Sequence, residues 1–555
     1  MKFNELTQAD KVFFKKMYYD TSFSWDDRMS ALIEFTSRSQ RTIAKWAVKL
    51  GLKRKTEVDS PELTKAKERI ASTSKKSFII TWAQNNTPVH ERFLKNIFTY
   101  SKYIKADVHI IAGRYKNPTS VFSDKKYDVW HNSVIPYLDA ARHDVHKYLS
   151  IMSDIKIQPT TSRPMLGMEG LSGINSCVFG SPKVQLTTVP VLEGCKPKIM
   201  VTTGACTVKN YTDSGSGKKG EFHHTLGFVI VEIKDDDTFF VRQVTATDDG
   251  NFYDIYNRVI FNGIKENIVF NTALERLNWT TSNFGAEPVE WVGKTEIEKT
   301  KSIDACIFGD LHYGKEDSTV LQTTMEFLNK INPKHVVLHD VFDGESITHH
   351  SMKDPFEQYK KELNGTNSLK KEIDYMLTKL ENFKHYENVV VVRSNHDDFL
   401  DRWLKNGDWQ KQPTPKNSME YMEYSQILLK QYGEDKIIGV IPELIKRKFP
   451  EYITLGRCDS YMVNGWELAQ HGDVGSNGSR GGLEQFRKLN TKVILGHYHS
   501  PGRIDGALCV GTSTKLRVGY NIGPSGWLQS HVIIHNDGKA QHLNFIDGEF
   551  TILKN

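Results

Sequence analysis

The feature that most narrows the fold is a unit that recurs in the C-terminal half: a short apolar run of strand length ending in residues able to bind a metal. Asp304–Phe308 ends in Gly309-Asp310-Leu311-His312, and His335–His339 ends in Asp340-Val341-Phe342-Asp343-Gly344. Asn388–Arg393 ends in Ser394-Asn395-His396-Asp397, Glu467–Gln470 in His471-Gly472-Asp473, and Lys492–Leu495 in Gly496-His497-Tyr498-His499. Strands alternating with helices predict an α/β domain. In open α/β sheets ligands bind beyond the carboxyl ends of the strands, so clusters at such ends would share one crevice. One His or Asp after a strand is ordinarily structural, but a series of them is not.

The donors in these clusters are carboxylate, amide oxygen and imidazole, without thiolate. That set suits manganese, iron, magnesium or a mixed zinc site, and not a structural zinc. Two ions roughly 3.5 to 4 Å apart, sharing a carboxylate, would clamp the attacking and leaving oxygens of a phosphoryl displacement.

In order, Asp310-x-His312, Asp340-x-x-Asp343, Asn395-His396-Asp397, His471-Gly472 and His497-x-His499 resemble the motifs of the calcineurin-like metallophosphoesterases, most of all their DNA-repair nuclease branch. The resemblance spans about Ile303 to Asp547. It implies a C-terminal four-layer metallophosphoesterase sandwich holding two divalent ions, with manganese expected and magnesium, iron or zinc compatible. It implies that Asp310, His312, Asp340 and His499 hold one ion, while Asp340 as bridge joins Asn395, His471 and His497 on the other. It implies catalytic work for His396, which assists the leaving group, and for Asp397, which with Asp343 would orient ligands. A homo-oligomer, dimer or larger, is the state the resemblance implies. The chain departs from the family where His339 and Ser394 replace glycines, which bears on backbone geometry and not on ligation.

At 555 residues the chain exceeds one hydrophobic core, and three parts are expected: 1–60, 77–292 and 300–555. Thr56–Lys76 reads as a connector and the polar Gly293–Lys301 as a boundary. In the first part, Arg28–Phe35 and Gln40–Leu50 have helical spacing around a break at Thr36–Ser39, with Ser39 as N-cap and Gly51 as stop. Ile43, Ala47 and Leu50 would face inward and Gln40, Arg41, Lys45 and Lys49 outward, a helix-turn-helix pattern. Phe35–Thr56 holds seven basic residues and no acidic one. Arg38, Gln40, Arg41, Lys45, Lys49 and Arg54 are therefore the candidate DNA contacts, and a plain helical hairpin with a solvated basic face is the alternative.

The middle part reads as mixed α/β, with strands at Phe78–Trp82, Asp107–Ala112, Val184–Thr188, Lys198–Thr203, Thr225–Ile233 and Phe239–Ala246 and a helix at Val89–Ile104. Ser214–Gly220 resembles a phosphate-binding loop only loosely, since Lys219 replaces its Ser or Thr, and a flexible turn is expected. His223 and His224 are expected on a strand, facing opposite ways.

Lys plus Arg exceed Asp plus Glu by 73 to 67, a net charge of +6, and apolar and charged contents of 39% and 25% are those of a globular chain. No stretch approaches the roughly 20 apolar residues of a bilayer span, and Met1–Lys11 lacks a secretory apolar core, so a cytoplasmic protein without membrane partners is expected. Six scattered cysteines read as free thiols. Weaker candidates are Arg480 in the loop Gly472–Gly482, the aromatics Tyr520 and Trp527, which could stack on bases or simply pack, and the loop histidines His349 and His350.

The whole chain also resembles the pre-early host-DNA-degradation proteins of T-five-type coliphages, through its length and the fusion of a helix-turn-helix-like region to a phosphoesterase. Together these readings predict a metal-dependent DNase acting in the host cytoplasm. Two alternatives stand beside it: a protein or small-molecule phosphatase or phosphodiesterase, and a DNA-binding regulator whose phosphoesterase domain is a scaffold.

Overall fold

A computed structural model gives the structure of the protein and describes residues 2–20, 25–52, 60–71, 75–117, 128–300, 303–407, 409–411, 414–434 and 437–553. The chain divides into two compact units, Met1–Thr64 and Lys65–Asn555.

In the first unit the helices Gln8–Tyr19, Trp25–Thr36 and Gln40–Lys49 close on a small core. Phe14 and Tyr18 of the first, Met29 and Leu32 of the second, and Ile43 and Trp46 of the third meet there. Thr7 starts the first helix through a reciprocal box, accepting from the Asp10 amide at 3.2 Å while the Asp10 carboxylate accepts from the Thr7 amide at 2.9 Å. Ser37, at φ +52°, turns the chain between the second and third helices. Ser39 precedes the third helix as expected, but its hydroxyl faces that of Thr42 at 3.1 Å and caps no amide. Arg38, Gln40, Arg41, Lys45 and Lys49 are exposed, Ile43 and Ala47 are buried, and Leu50 is half-buried. Arg54 lies outside the described residues.

The second unit is built on sheets. Its first strands are β1 (Ser77–Gln84), β2 (Asp107–Gly113), β3 (Leu138–Asp139), β4 (Arg142–His146), β5 (Leu149–Met152), β6 (Ser176–Phe179), β7 (Gln185–Val189), β8 (Lys198–Thr202), β9 (Gly227–Ile233) and β10 (Phe239–Thr245). An antiparallel ribbon follows, made of β11 (Phe252–Asp254), β12 (Asn257–Asn267) and β13 (Val289–Lys299). The later strands are β14 (Ile303–Ile307), β15 (His335–His339), β16 (Asn388–Val392), β17 (Ile453–Leu455), β18 (Met462–Val463), β19 (Trp466–Glu467), β20 (Lys492–Leu495), β21 (Gly502–Ile504), β22 (Ala507–Cys509), β23 (Ser530–His535) and β24 (Ala540–Asn544).

Three larger sheets result, ordered β10-β9-β1-β2-β3, β17-β16-β15-β14-β23-β24 and β18-β19-β20-β22-β21-β7-β8-β6-β5-β4. Period-two alternation assigns the faces. Val336, Leu338, Val389 and Val391 face a core shared with helices such as Ser318–Ile331 and Leu369–Leu380, while Val337, Val390 and Val392 meet Trp466, Ile494 and Leu508 of the ten-stranded sheet. Ile80, Val229 and Val231 of the five-stranded sheet meet Ile151, Val178 and Val201 of the same ten-stranded sheet. The short helix Leu483–Phe486 covers part of its outer face, above Val493 and Leu495.

Three expectations are corrected here. Gly293–Lys301 is not a break between domains: most of it is β13, paired with β12 over its full length, and the ten-stranded sheet draws five strands from each side of it. The alternation of Val289, Trp291 and Ile297 with charged residues suits a ribbon left largely in solvent, which a search for buried runs passes over. Ser214–Gly220 is not a turn: Gly215–His223 is a helix capped by the Ser214 hydroxyl on the Gly217 amide at 3.1 Å. His223 and His224 accordingly sit at a helix end and not on a strand.

Candidate metal centre

β14, β15 and β16 run parallel in one sheet, β19 and β20 run parallel in the other, and the two sheets share a core. The loops beyond these strand ends therefore face each other. Asp310, His312, Asp340 and His499 come together, each offering a donor atom within 4.8 Å of the others, and all four are buried. His312 Nε2 lies 3.2 Å from Asp340 Oδ2 and 3.1 Å from His499 Nε2, and His499 Nε2 lies 3.1 Å from Asp310 Oδ2. Two facing imidazole nitrogens repel through their lone pairs unless a proton or a cation stands between them.

The remaining expected donors gather on the other side of Asp340. His471 Nε2 is 3.3 Å from Asp340 Oδ2 and 3.1 Å from Asn395 Oδ1, which is also 3.0 Å from His497 Nδ1. Asp340 Oδ2 thus sits between His312 and His471, the place a bridging carboxylate occupies. All seven expected metal residues are brought to one crevice.

The donor set fits divalent ions on three observations. Oδ1 of Asp310, Oδ1 of Asp340 and Nδ1 of His499 are buried without a hydrogen-bond partner, a cost a cation removes. His312, Asp340, His497 and His499 all adopt left-handed backbone, at φ +41°, +49°, +76° and +54°, a strain of about 1–3 kcal/mol each that is characteristic of functional sites. The surrounding groups favour positive charge at this place. Burial alone would strip the proton from His471, but Asp340 and Asp310 lift it to about 9, and His312 is raised in the same way by Asp340 and Asp343. Burial alone would raise the Asp310 and Asp340 carboxyls, yet the surrounding histidines hold both below their ordinary values. Metal binding here should displace protons.

His396 stands at the rim, its ring centroid 4.5 Å from that of His312. Its Nδ1 donates to the Asp343 carbonyl at 2.6 Å, which leaves Nε2 for proton transfer. Burial and His312 depress it from its ordinary value. Asp397 is placed differently: its Oδ2 accepts the Ser394 amide at 2.9 Å and its own amide donates to Ser394 Oγ at 3.2 Å, so it shapes the loop that carries Asn395. Asp343 Oδ1 holds His312 Nδ1 at 3.1 Å, orienting that ring.

His339 was not among the expected site residues. It forms a second buried group with Asp310 and His471, its Nδ1 3.4 Å from His471 Nδ1, and burial lowers it to about 4. The signal was a histidine where the resemblance leads one to expect a glycine. Trp527 lies against the centre, its ring centroid 4.1 Å from that of His499, with Tyr520 5.9 Å further along. Arg480, His349 and His350 lie outside the donor cluster. A separate buried group, His109, Asp139 and His143, is closed on itself, with His109 Nδ1 2.6 Å and His143 Nε2 2.9 Å from Asp139 Oδ2, and reads as an ion-paired core.

Over 579 aligned residues, covering 98% of this chain and 97% of the relative, the sequence is 27% identical to Protein A1 of Escherichia phage T5. The chain is similar to a phage protein from end to end. No protein-family model matches it, and no solved structure does. The aligned stretch takes in both units of the chain. No helix among the described residues is long and apolar enough to cross a membrane.

Proposed function

We propose that the protein is a two-metal-dependent DNA nuclease that hydrolyses phosphodiester bonds and acts on host DNA during phage infection. The observation that carries the reading is the convergence of six carboxylate, amide and imidazole residues around Asp340, with an unpaired buried oxygen on each of Asp310 and Asp340. Ions held by Asp310, His312, Asp340, Asn395, His471, His497 and His499 would supply Lewis acidity toward a phosphoryl oxygen, with manganese the expected metal. His396 is the group placed to move a proton, because its Nδ1 is held by the Asp343 carbonyl and its Nε2 is left over. The exposed basic face of Gln40–Lys49 favours DNA over a protein or small phosphoester, and the similarity to a phage protein supplies the setting.

The test incubates the protein with linear and covalently closed duplex DNA in Mn2+, in Mg2+ and in chelator, beside Asp340→Ala. Loss of DNA with Mn2+, and none in chelator or with Asp340→Ala, is expected. Intact DNA in the presence of demonstrably bound metal would sink the reading.

A further inference from the structure

The Lys65–Asn555 unit contains the same fold twice. In chain order β1, β2, β3, β9 and β10 form a sheet ordered β10-β9-β1-β2-β3, while β14, β15, β16, β23 and β24 give β24-β23-β14-β15-β16. In both, the first three strands are parallel neighbours and the last two add on antiparallel. Within the ten-stranded sheet, β4-β5-β6-β8-β7 repeats as β18-β19-β20-β22-β21, with the pairings antiparallel, parallel, parallel and antiparallel each time. The two runs meet antiparallel at β7 and β21, with Leu186 opposite Arg503, which is the signature of a local twofold. Isolated bridges recur as well: Val89 with Thr207 matches Glu316 with Thr514, and Ala205 with Leu226 matches Thr512 with Gln529.

The first copy lacks the ligands. Gly496 packs so closely that a Cβ there would lie 2.5 Å from Asp310 Oδ1 and 2.9 Å from His339 Cγ. Gly180, which follows β6 as Gly496 follows β20, would meet Trp82 Cδ1 at 2.8 Å and Ile111 Cγ2 at 2.6 Å. Trp82 and Ile111 therefore fill the space that Asp310 and His339 occupy in the second copy. Because β6 runs opposite to β20 across the twofold, the two crevices open at opposite ends of the ten-stranded sheet, and the first cannot share a substrate with the metal centre directly.

One departure from symmetry does reach the metal centre. Residues 505–506 join β21 to β22 in a tight turn, whereas residues 190–197 join β7 to β8. In that longer connection the Val191 amide donates to the Ser525 carbonyl at 3.0 Å and the Ser525 amide donates back at 2.9 Å. Thr188 Oγ1 donates to the Gly526 carbonyl at 2.6 Å, and Arg517 Nη2 to the Val191 carbonyl at 3.3 Å. The next residue is Trp527, beside metal-site His499, and Tyr520 nearby is 52% exposed.

We propose that residues 77–245 are a second, ligand-free copy of the metal-bearing fold, and that its β7–β8 connection holds Trp527 and Tyr520 at the metal centre as a stacking platform for a base of the polynucleotide substrate. This deepens the nuclease reading and rests on it for substrate. Val191 and Ser525 are positioning residues in this scheme, because they touch no reacting group.

The test replaces residues 190–197 by Asp-Gly in the full chain, with Val191→Pro as a milder variant that removes one of the paired amides. Hydrogen exchange is followed over residues 517–529, and KM and kcat are measured on single-stranded DNA and on bis(p-nitrophenyl) phosphate. Exchange over 517–529 should quicken, KM for DNA should rise about tenfold, as loss of one stacked base implies, and turnover of the small diester should hold within about twofold. Unchanged exchange in both variants would overturn the bracing. Faster exchange with unchanged KM for DNA, or equal losses on both substrates, would overturn the platform. A parent inactive on both substrates would count against the nuclease reading and the stacking role together, leaving exchange to judge the brace alone.

Discussion

Gly496→Ala should destroy the metal centre without removing a ligand. The new Cβ would lie 2.5 Å from Asp310 Oδ1, where ordinary contact begins at 3.4 Å, so the carboxylate must retreat by about 0.9 Å. It cannot do so freely, because the same Cβ also presses His339 Cγ and Cβ at 2.9 and 3.0 Å. Metal–ligand distances tolerate only about ±0.2 Å, so the displaced Asp310 would cease to bind. Changes one layer out already cost about 10- to 100-fold in affinity, and displacing a ligand should reach at least the upper end of that range. Titration calorimetry with Mn2+ reads the loss, and Gly180→Ala supplies the control. There the Cβ crowds Ile111 and Trp82 at 2.6 and 2.8 Å, so a similar destabilisation of about 1–3 kcal/mol should leave Mn2+ binding untouched. Parent-like affinity in Gly496→Ala, or equal losses in the two variants, would refute the reasoning.

His396→Ala should keep Mn2+ affinity while kcat on DNA falls by about 100- to 10,000-fold, and full turnover would remove its proton-transfer role. Arg41→Ala with Lys45→Ala should weaken DNA binding and lower the slope of log affinity against log salt by about two, with an unchanged slope excluding that face. Three imidazoles that are not members of the donor cluster, His224, His531 and His542, are pushed by burial to about 4, about 3 and about 4. Their folded values lie below the unfolded value near 6.5, so the unfolded chain takes up protons first and stability drains as pH falls below that value, by about 2 kcal/mol per histidine at pH 5. In urea unfolding, His531→Gln should shrink the loss between pH 7 and pH 5 by about that amount, and an unaltered loss would show that His531 contributes none of it.

β15 and β20 were legible to the residue, because each is an apolar run closed off by polar residues at its end. The donors that cluster were legible for the same reason, since they are polar residues that follow those runs. The strand before His471 was read too long: only Trp466–Glu467 forms a ladder, and Leu468 and Ala469 are buried without one. The helix Gly215–His223 was hidden by its glycines, yet Gly217 is required there, where a Cβ would strike the Thr212 carbonyl oxygen at 1.7 Å. The duplication was invisible because its period far exceeds the roughly 20 to 50 residues of sequence repeats, and because the residues that would have announced it are gone from the first copy.

That loss separates what the fold demands from what the metal centre demands. The left-handed residues His312, Asp340, His497 and His499 have no left-handed counterparts in the first copy, where Gln84 and Ala112 within β1 and β2, and Ser181 and Lys183 beyond β6, keep ordinary backbone. Their strain therefore follows the ligands and not the sheets. A copy relieved of ligation has relaxed these loops and filled the space with Trp82 and Ile111, whereas the copy that retains Asp310 and Asp340 retains the strain, and only a bound cation gives that arrangement a compensating return.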